Sequence, residues 1–215
     1  MIVAIDGGVA SGKSAVGRRV ANDLGLPFVD TGLMYRAVAR AALERGVDIE
    51  DGAALSELAN QLVIRVDGRR IWSNGMEVTD SVYDADISAV VSQVAKVAGV
   101  RLAMVAEQRR MARGGVVMAG RDIGTVVFPD ADFKFFLVAS VEERVRRRAA
   151  QLAARGEAVD EAKMRVEVME RDRLDSQRTV APLRPAEDAM VIETDALDLD
   201  QVVGRILRHV RGEAT

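Results

Sequence analysis

The 215-residue chain contains no cysteine, one histidine and one tryptophan, and aromatic residues make up only 4% of it. Without cysteine there is no disulfide, thiolate metal site or thiol nucleophile, so any metal must sit on oxygen ligands. So few rings leave a base-stacking surface poorly stocked, which disfavours general binding of single-stranded nucleic acid. Neither sign of charge dominates: 30 Lys and Arg face 33 Asp and Glu, a net charge of -3 that gives no broad attraction to polyanions or anionic membranes. No apolar run approaches the roughly 18 residues of a membrane span. The N-terminal Met-Ile-Val-Ala-Ile-Asp leads straight into a strand-like run without the basic start and long apolar stretch of a secretory signal, so a cytoplasmic protein is expected.

What remains is 49% hydrophobic residues, mostly aliphatic, enough for one α/β unit with small appended lobes. Ile2 to Ile5 reads as a buried parallel strand, followed by glycines, a helix with Val16, Val20 and Leu24 on one face, and a second short strand at Phe28-Val29. That order opens a doubly wound sheet. Helical spacing continues over Met34–Gly46 and Leu55–Leu62. Alternation around Asp67-Gly68 and Asn74-Gly75 then predicts a small antiparallel meander between Ile64 and Val78. Helices follow at Ile87–Val97 and Arg101–Ala112, strands at Val116–Met118 and Phe133–Ala139, and Arg-rich helices at Val141–Arg155 and Glu161–Gln177. A strand at Met190–Glu193 and a tail helix carrying Val202, Val203, Ile206 and Leu207 complete the chain.

The sharpest motif is Gly7-Gly8-Val9-Ala10-Ser11-Gly12-Lys13-Ser14, with Ala15 entering the helix. It fits the phosphate-binding pattern of glycine, four residues, then Gly-Lys-Ser/Thr, and it lies between strand and helix as that pattern requires. A triphosphate crowds negative charge, and glycine lets the main chain curl around it so that successive N–H groups and the helix N-terminus face one anion. Lys13 is then expected to bridge the β- and γ-phosphates of ATP, and the Ser14 hydroxyl to ligate Mg2+. The loop alone leaves the acceptor open.

Four further clusters narrow it: Asp30-Thr31-Gly32-Leu33-Met34-Tyr35-Arg36; Ser92-Gln93-Val94-Ala95 with Arg101; Ala119-Gly120-Arg121-Asp122-Ile123-Gly124-Thr125; and Arg171-Asp172-Arg173-Leu174-Asp175-Ser176-Gln177-Arg178. Together with the phosphate loop they resemble, nearly end to end, the bacterial cytidylate kinases. That resemblance implies a P-loop core with a parallel sheet sandwiched by helices, an inserted monophosphate lobe carrying a small antiparallel sheet, and a helical lid. Residues 1–34, 102–145 and 179–215 would form the core, 35–101 the lobe and 146–178 the lid. It implies transfer of a phosphoryl group from ATP to CMP or dCMP. Thr31 and Tyr35 would lie at the acceptor site, Arg36, Arg121 and Arg178 on its phosphate, Ser92, Arg101 and Asp122 on the cytosine, and Arg171 and Asp175 on the ribose. Lys13, Arg121, Arg178 and one lid arginine, Arg147 of the set Arg144, Arg147 and Arg148, would act on the transferring group. The partners implied are the two small molecules, with no nucleic acid or membrane, and a monomer is expected.

The chemistry is sensible on its own terms. Arginine offers a permanently charged fork matched to phosphate oxygens. A carboxylate beside a cation can read the amino donor and the ring acceptors of cytosine, whereas the O4 of uracil would face Asp122 with lone pairs. Two departures stand out. Gly8-Val9 replaces the family's usual Gly-Pro-Ser/Ala opening of the loop, and Ala119 stands where the family usually has an acidic residue. Asp30 is expected to compensate in holding Mg2+, through bound water. A kinase with a UMP, dephospho-coenzyme A or shikimate acceptor, or a nucleotide-sensing protein without chemistry, remains open. His209, Trp72 and the nine methionines read as surface, local packing and gap filling.

Overall fold

The computed structural model describes residues 1–154, 156 and 158–213; the expected helix end at Arg155 lies outside them. Strand β1 (Ile2–Gly7) runs into helix α1 (Lys13–Leu24), which Gly25 closes in the left-handed region, its N–H donating to the carbonyls of Ala21 and Asn22. Then come β2 (Phe28–Asp30), α2 (Thr31–Glu44) and α3 (Gly52–Gln61). The meander is β3 (Ile64–Asp67), β4 (Arg70–Ser73) and β5 (Met76–Glu77). Helices α4 (Ala85–Val94) and α5 (Ala98–Met111) meet at a 98° break. The chain finishes with β6 (Val116–Gly120), β7 (Phe133–Val138), α6 (Val141–Ala153), α7 (Glu161–Ser176), β8 (Met190–Glu193) and α8 (Leu199–Arg211).

The large sheet has the order β2-β6-β1-β7-β8, and every pairing is parallel. Its strands are nearly continuous apolar runs because helices cover both faces. Ala4, Val116 and Met118 face the α2–α5 side, while Val3, Ile5, Val117, Phe135 and Leu137 face α1 and α8. Strand β1 lies at the centre, with β6 on one side and β7 on the other. The crevice beyond the carboxyl ends at that point is where open α/β sheets bind ligands.

The two turn signals in the meander are realised, with Gly68 at φ 60° and Asn74-Gly75 at φ 50° and 82°. Trp72 stacks under Arg65 at 3.8 Å and Arg70 at 4.9 Å. The insert has no core of its own. Leu55, Ile64, Ile71, Ile87 and Met104 belong to the same buried cluster as Ala4 and Met118 of the sheet. The expected boundaries at 34/35, 101/102 and 145/146 accordingly fall inside α2, α5 and α6. Helices α6 and α7, by contrast, have a small separate cluster of Val145, Met164 and Val168.

Two elements had no counterpart in the sequence reading, a short helical turn at Ser81–Tyr83 and a wider one after β6. Ile123–Val127 forms a single wide turn in which Val127 N–H donates to Asp122 O at 3.2 Å and Phe128 N–H to Ile123 O at 2.7 Å. Such i→i+5 turns recur at functional sites. Among the described residues no single helix is long and apolar enough to cross a membrane.

Candidate active site

The carboxyl ends of the parallel strands converge on the loop between β1 and α1. A side chain on Gly7, whose φ is 152°, would collide with the carbonyl of Leu137 and with Ser11 Oγ, and Gly12 at φ 92° ends the loop as the first helical turn begins. Both positions need the missing Cβ. Lys13 folds back over the loop, its Nζ donating to Gly8 O at 2.5 Å and Ser11 Oγ at 3.3 Å. Burial first, and the nearby Arg121 guanidinium second, hold the Lys13 ammonium well below the usual lysine range. A buried cation short of anionic partners is poised to accept one.

Ser14 Oγ donates to Asp30 Oδ2 at 2.5 Å, and the other oxygen of Asp30 caps α2 by accepting from Gly32 N–H at 3.0 Å. Two oxygens thus sit side by side next to Lys13. Among the described residues no three acidic or histidine side chains gather, but Mg2+ takes one or two protein oxygens and completes its shell with water and phosphate. The pair fits that ion. Ala119, in register with Asp30 on the adjacent strand, is 1% exposed and packs into the α1-side apolar cluster.

Beside the loop lies a cluster of arginines, Arg101 and Arg178 buried and Arg36, Arg121 and Arg171 half-buried. Arg121 donates from Nε to Asp175 Oδ2 at 2.7 Å, and Arg101 is paired with Asp122, both nearly without exposure. Arg101 also lies over the Tyr35 ring at 5.3 Å. Arg36 donates to Val82 O at 2.9 Å and Ser88 Oγ at 3.0 Å and stacks on Tyr83 at 5.5 Å. Ser92, one turn after Ser88 on α4, therefore shares its face. Arg178 donates from Nε to Asp175 O at 3.2 Å, while its buried Nη2 has no protein partner; neither does Nε of Arg171. Burial, with Arg121 and Arg36 adding to it, pushes Arg171 down to about 10. Burial raises Asp175, but Arg121 outweighs it and holds the carboxyl below its ordinary value. Burial lifts the Tyr35 hydroxyl to about 12. A dianion entering this pocket would meet fixed, partly unsatisfied guanidiniums, the arrangement that phosphate recognition needs.

The structure brings Lys13, Arg121, Asp175, Arg171 and Arg36 within electrostatic reach of one another. Thr31 sits under this region, its Oγ1 donating to Ala119 O at 2.9 Å. Arg147 borders the phosphate loop, its Nη1 donating to Ser11 O at 3.5 Å. It donates to Thr194 Oγ1 at 3.0 Å, Thr194 O at 2.7 Å and Glu143 Oε1 at 2.7 Å, on the β8 side of the phosphate loop. The lid arginine whose charge is felt by Arg36 and Arg171 is its neighbour Arg148. Arg144 lies against Gly8, bonded to Val9 O at 3.3 Å and paired with Asp172 at 2.5 Å. Val9 itself packs against the lid cluster of Val145, Met164 and Val168, so the residue that departs from the usual loop opening is a contact for the lid.

Sequence reasoning assigned no role to Asp6, Ser88 or Asp172. Asp6 directly precedes the loop, and that position was the available signal. Its carboxylate is 4% exposed and accepts from Ile123 N–H at 2.9 Å and Gly124 N–H at 2.8 Å. Burial pushes it up to about 6 despite those two bonds.

The similarities of the chain agree with this layout. It is 46% identical to the cytidylate kinase of Exiguobacterium sibiricum, over 98% of this chain and 96% of that protein. It is 45% identical to a bifunctional pantoate ligase/cytidylate kinase of Synechococcus sp. (strain JA-3-3Ab), again over 98% of this chain but only 40% of that longer protein. An uncharacterized protein from Eubacterium ventriosum superposes with a TM-score of 0.53 over 99% of each chain at 13% identity, a likeness of fold alone. The cytidylate kinase family model matches residues 3–212, and with it the phosphate loop, the arginine pocket and the lid all fall inside one matched unit: the chain belongs to the cytidylate kinase family.

Proposed function

We propose that this chain transfers the γ-phosphoryl group of ATP to CMP and dCMP. The carrying observation is the buried Arg101–Asp122 pair beside the arginines Arg36, Arg121, Arg171 and Arg178, next to the lysine of a phosphate loop. A nucleotide acceptor explains why a base-reading carboxylate lies so close to cations fit for a phosphate. A shikimate or other sugar-like acceptor gives Asp122 no amino group to accept from.

The reaction proceeds by in-line displacement. An oxygen of the CMP phosphate is already ionised at neutral pH, so no general base is needed, and positioning with charge stabilisation lowers the barrier. Backbone N–H groups between Gly7 and Ser14 hold the donor, Lys13 sits against its β- and γ-phosphates, and Arg121 and Arg178 hold the acceptor phosphate and offset charge on the transferring group. Ser14 and Asp30 would hold Mg2+, which would supply positive charge to offset that of the phosphates. Arg171 and Asp175 serve the ribose, Ser92, Arg101 and Asp122 the base, and Thr31 and Tyr35 line the floor. Closure of α6–α7 brings Arg147 over the transferring group with Arg148 on the acceptor side, and excludes water. The core, lobe and lid division belongs to this proposal. So does action as a cytoplasmic monomer on two small molecules, with neither nucleic acid nor membrane as partner.

The test is coupled ADP release with ATP and each of CMP, dCMP, UMP and AMP. CMP and dCMP should exceed UMP by at least about tenfold in kcat/KM, the scale on which a mispaired buried polar group discriminates. Binding of ATP and CMP without turnover would identify a sensor instead.

A further inference from the structure

Asp6 takes no part in the scheme above, yet its side chain ties the donor strand to the acceptor segment. It ends β1 one residue before the phosphate loop, and its Cα is in register with Gly120, where the chain leaves β6. Arg121 and Asp122 follow, and the next two N–H groups, Ile123 and Gly124, turn back to donate to the two separate oxygens of Asp6. Arg121 and Asp122 thus form a two-residue loop pinned at both ends to the same point of β1. Each N–H group takes its own oxygen of the one carboxylate, whereas an amide at this position would turn an NH2 donor toward one of them. The fit has little slack. A Cβ on Gly120 would strike Ile123 and Thr31 Oγ1, and one on Gly124 would lie 3.2 Å from the Lys134 stem and 3.5 Å from Asp6 Oδ2. Burial and the like charge of Asp122 work against an ionised Asp6, and what opposes them is chiefly the pair of N–H bonds from Gly124 and Ile123.

We infer that Asp6 is a positioning residue for acceptor recognition, fixing the angle at which Arg121 and Asp122 face the phosphate loop. The inference rests on the reading of Arg121 and Asp122 as acceptor-binding groups. A residue that only closed a turn would affect stability; one that aims these two side chains affects which acceptor is taken.

The experiment is steady-state kinetics on the full chain for Asp6→Asn, Gly124→Ala and, as reference, Asp122→Asn, with CMP and UMP as acceptors and melting temperatures alongside. Asp6→Asn puts an amide donor against one of the two N–H groups. It should raise KM for CMP about tenfold or more, leave KM for ATP within about twofold and reduce the CMP/UMP ratio of kcat/KM. Gly124→Ala, whose added Cβ crowds the Lys134 stem at 3.2 Å and so shifts the Gly124 N–H at its bond to Asp6, should give the same pattern in milder form and carries the test if the Asn variant does not fold. A lower melting temperature with native KM for CMP and native CMP/UMP ratio in either folded variant overturns the inference. If Asp122→Asn leaves that ratio unchanged, the acceptor reading itself fails, whatever Asp6 does.

Discussion

On the proposed reading, the donor and acceptor halves of the site are built from different materials. The donor half is a single stretch, residues 7–15, whose binding groups are mostly backbone N–H, with one side chain, Lys13, adding a full charge. The acceptor half draws side chains from α2, α4, α5, α7 and the segment after β6, and most of them are already engaged: Arg101 with Asp122, Arg121 with Asp175, Arg36 with Val82 and Ser88. A backbone site depends on the path of one loop. A side-chain site depends on several elements packing correctly at once, and its partners hold the charges in place before substrate arrives. The donor half should therefore fail at one residue, and the acceptor half in degrees.

Removing that one residue should have the largest effect. Lys13→Met is expected to lower kcat about 1,000-fold, the scale of losing a preorganised charge at the transferring group. Because burial holds the Lys13 ammonium well below its ordinary range, the charge is a burden on the fold at neutral pH. The same variant should melt about 2 to 4 °C higher than the parent. Loss of activity with loss of stability would contradict the division between the halves.

The junction of the halves gives the next effect, and it is read by pH. Asp6 titrates near 3.8 in an unfolded chain and about 6 in the fold. A carboxyl raised in this way favours the folded state below the lower value, and that contribution disappears as pH rises through the upper one. The wild type should thus lose up to about 3 kcal/mol relative to Asp6→Asn between about pH 4 and pH 7. Denaturant unfolding of both proteins across that range measures it. A flat difference would mean that Asp6 is not buried as described.

The donor half was legible in sequence for the same reason that it is robust: strand, loop and helix are contiguous, and the spacing of Gly7, Gly12, Lys13 and Ser14 carries the geometry. The order of strands and helices was equally plain, down to the meander turns, because hydrophobic period and Gly placement are local signals. The acceptor half was visible only as scattered Arg and Asp clusters given meaning by resemblance. Nothing local says that Arg121 pairs with Asp175, 54 residues later, or that Asp6 reaches the segment after β6. Arg147 and Arg148 show the limit well. Adjacent on one helix, they point about 100° apart, and only packing shows that Arg147 meets Thr194 and Ser11 while the charge of Arg148 is felt by Arg36 and Arg171.

Metal binding tests whether Asp30 belongs to the donor half. Asp30→Asn keeps an oxygen to cap α2 but removes the charge beside Ser14. It should raise the Mg2+ concentration for half-maximal rate about tenfold, consistent with loss of one of few protein ligands. A direct readout is the weaker quenching of Mn2+ electron-spin signal on titration with the ATP complex. An unchanged metal titration would leave Ala119 without a compensating carboxylate.

The smallest effect separates the lid from both halves. Val9 lies in the phosphate loop yet packs on Val145, Met164 and Val168, a cluster distinct from the two that cover the sheet. Val9→Ala removes two methyl groups from a half-buried position, a loss of about 1 kcal/mol. That loss should fall on the docking of α6 and α7, because the sheet clusters share no residue with this one. Amides of α6 and α7 should exchange about fivefold faster with solvent while those of β1, β6 and β7 keep their protection. Equal acceleration in sheet and lid would show that the lid opens only with the core and that Val9 is not its latch.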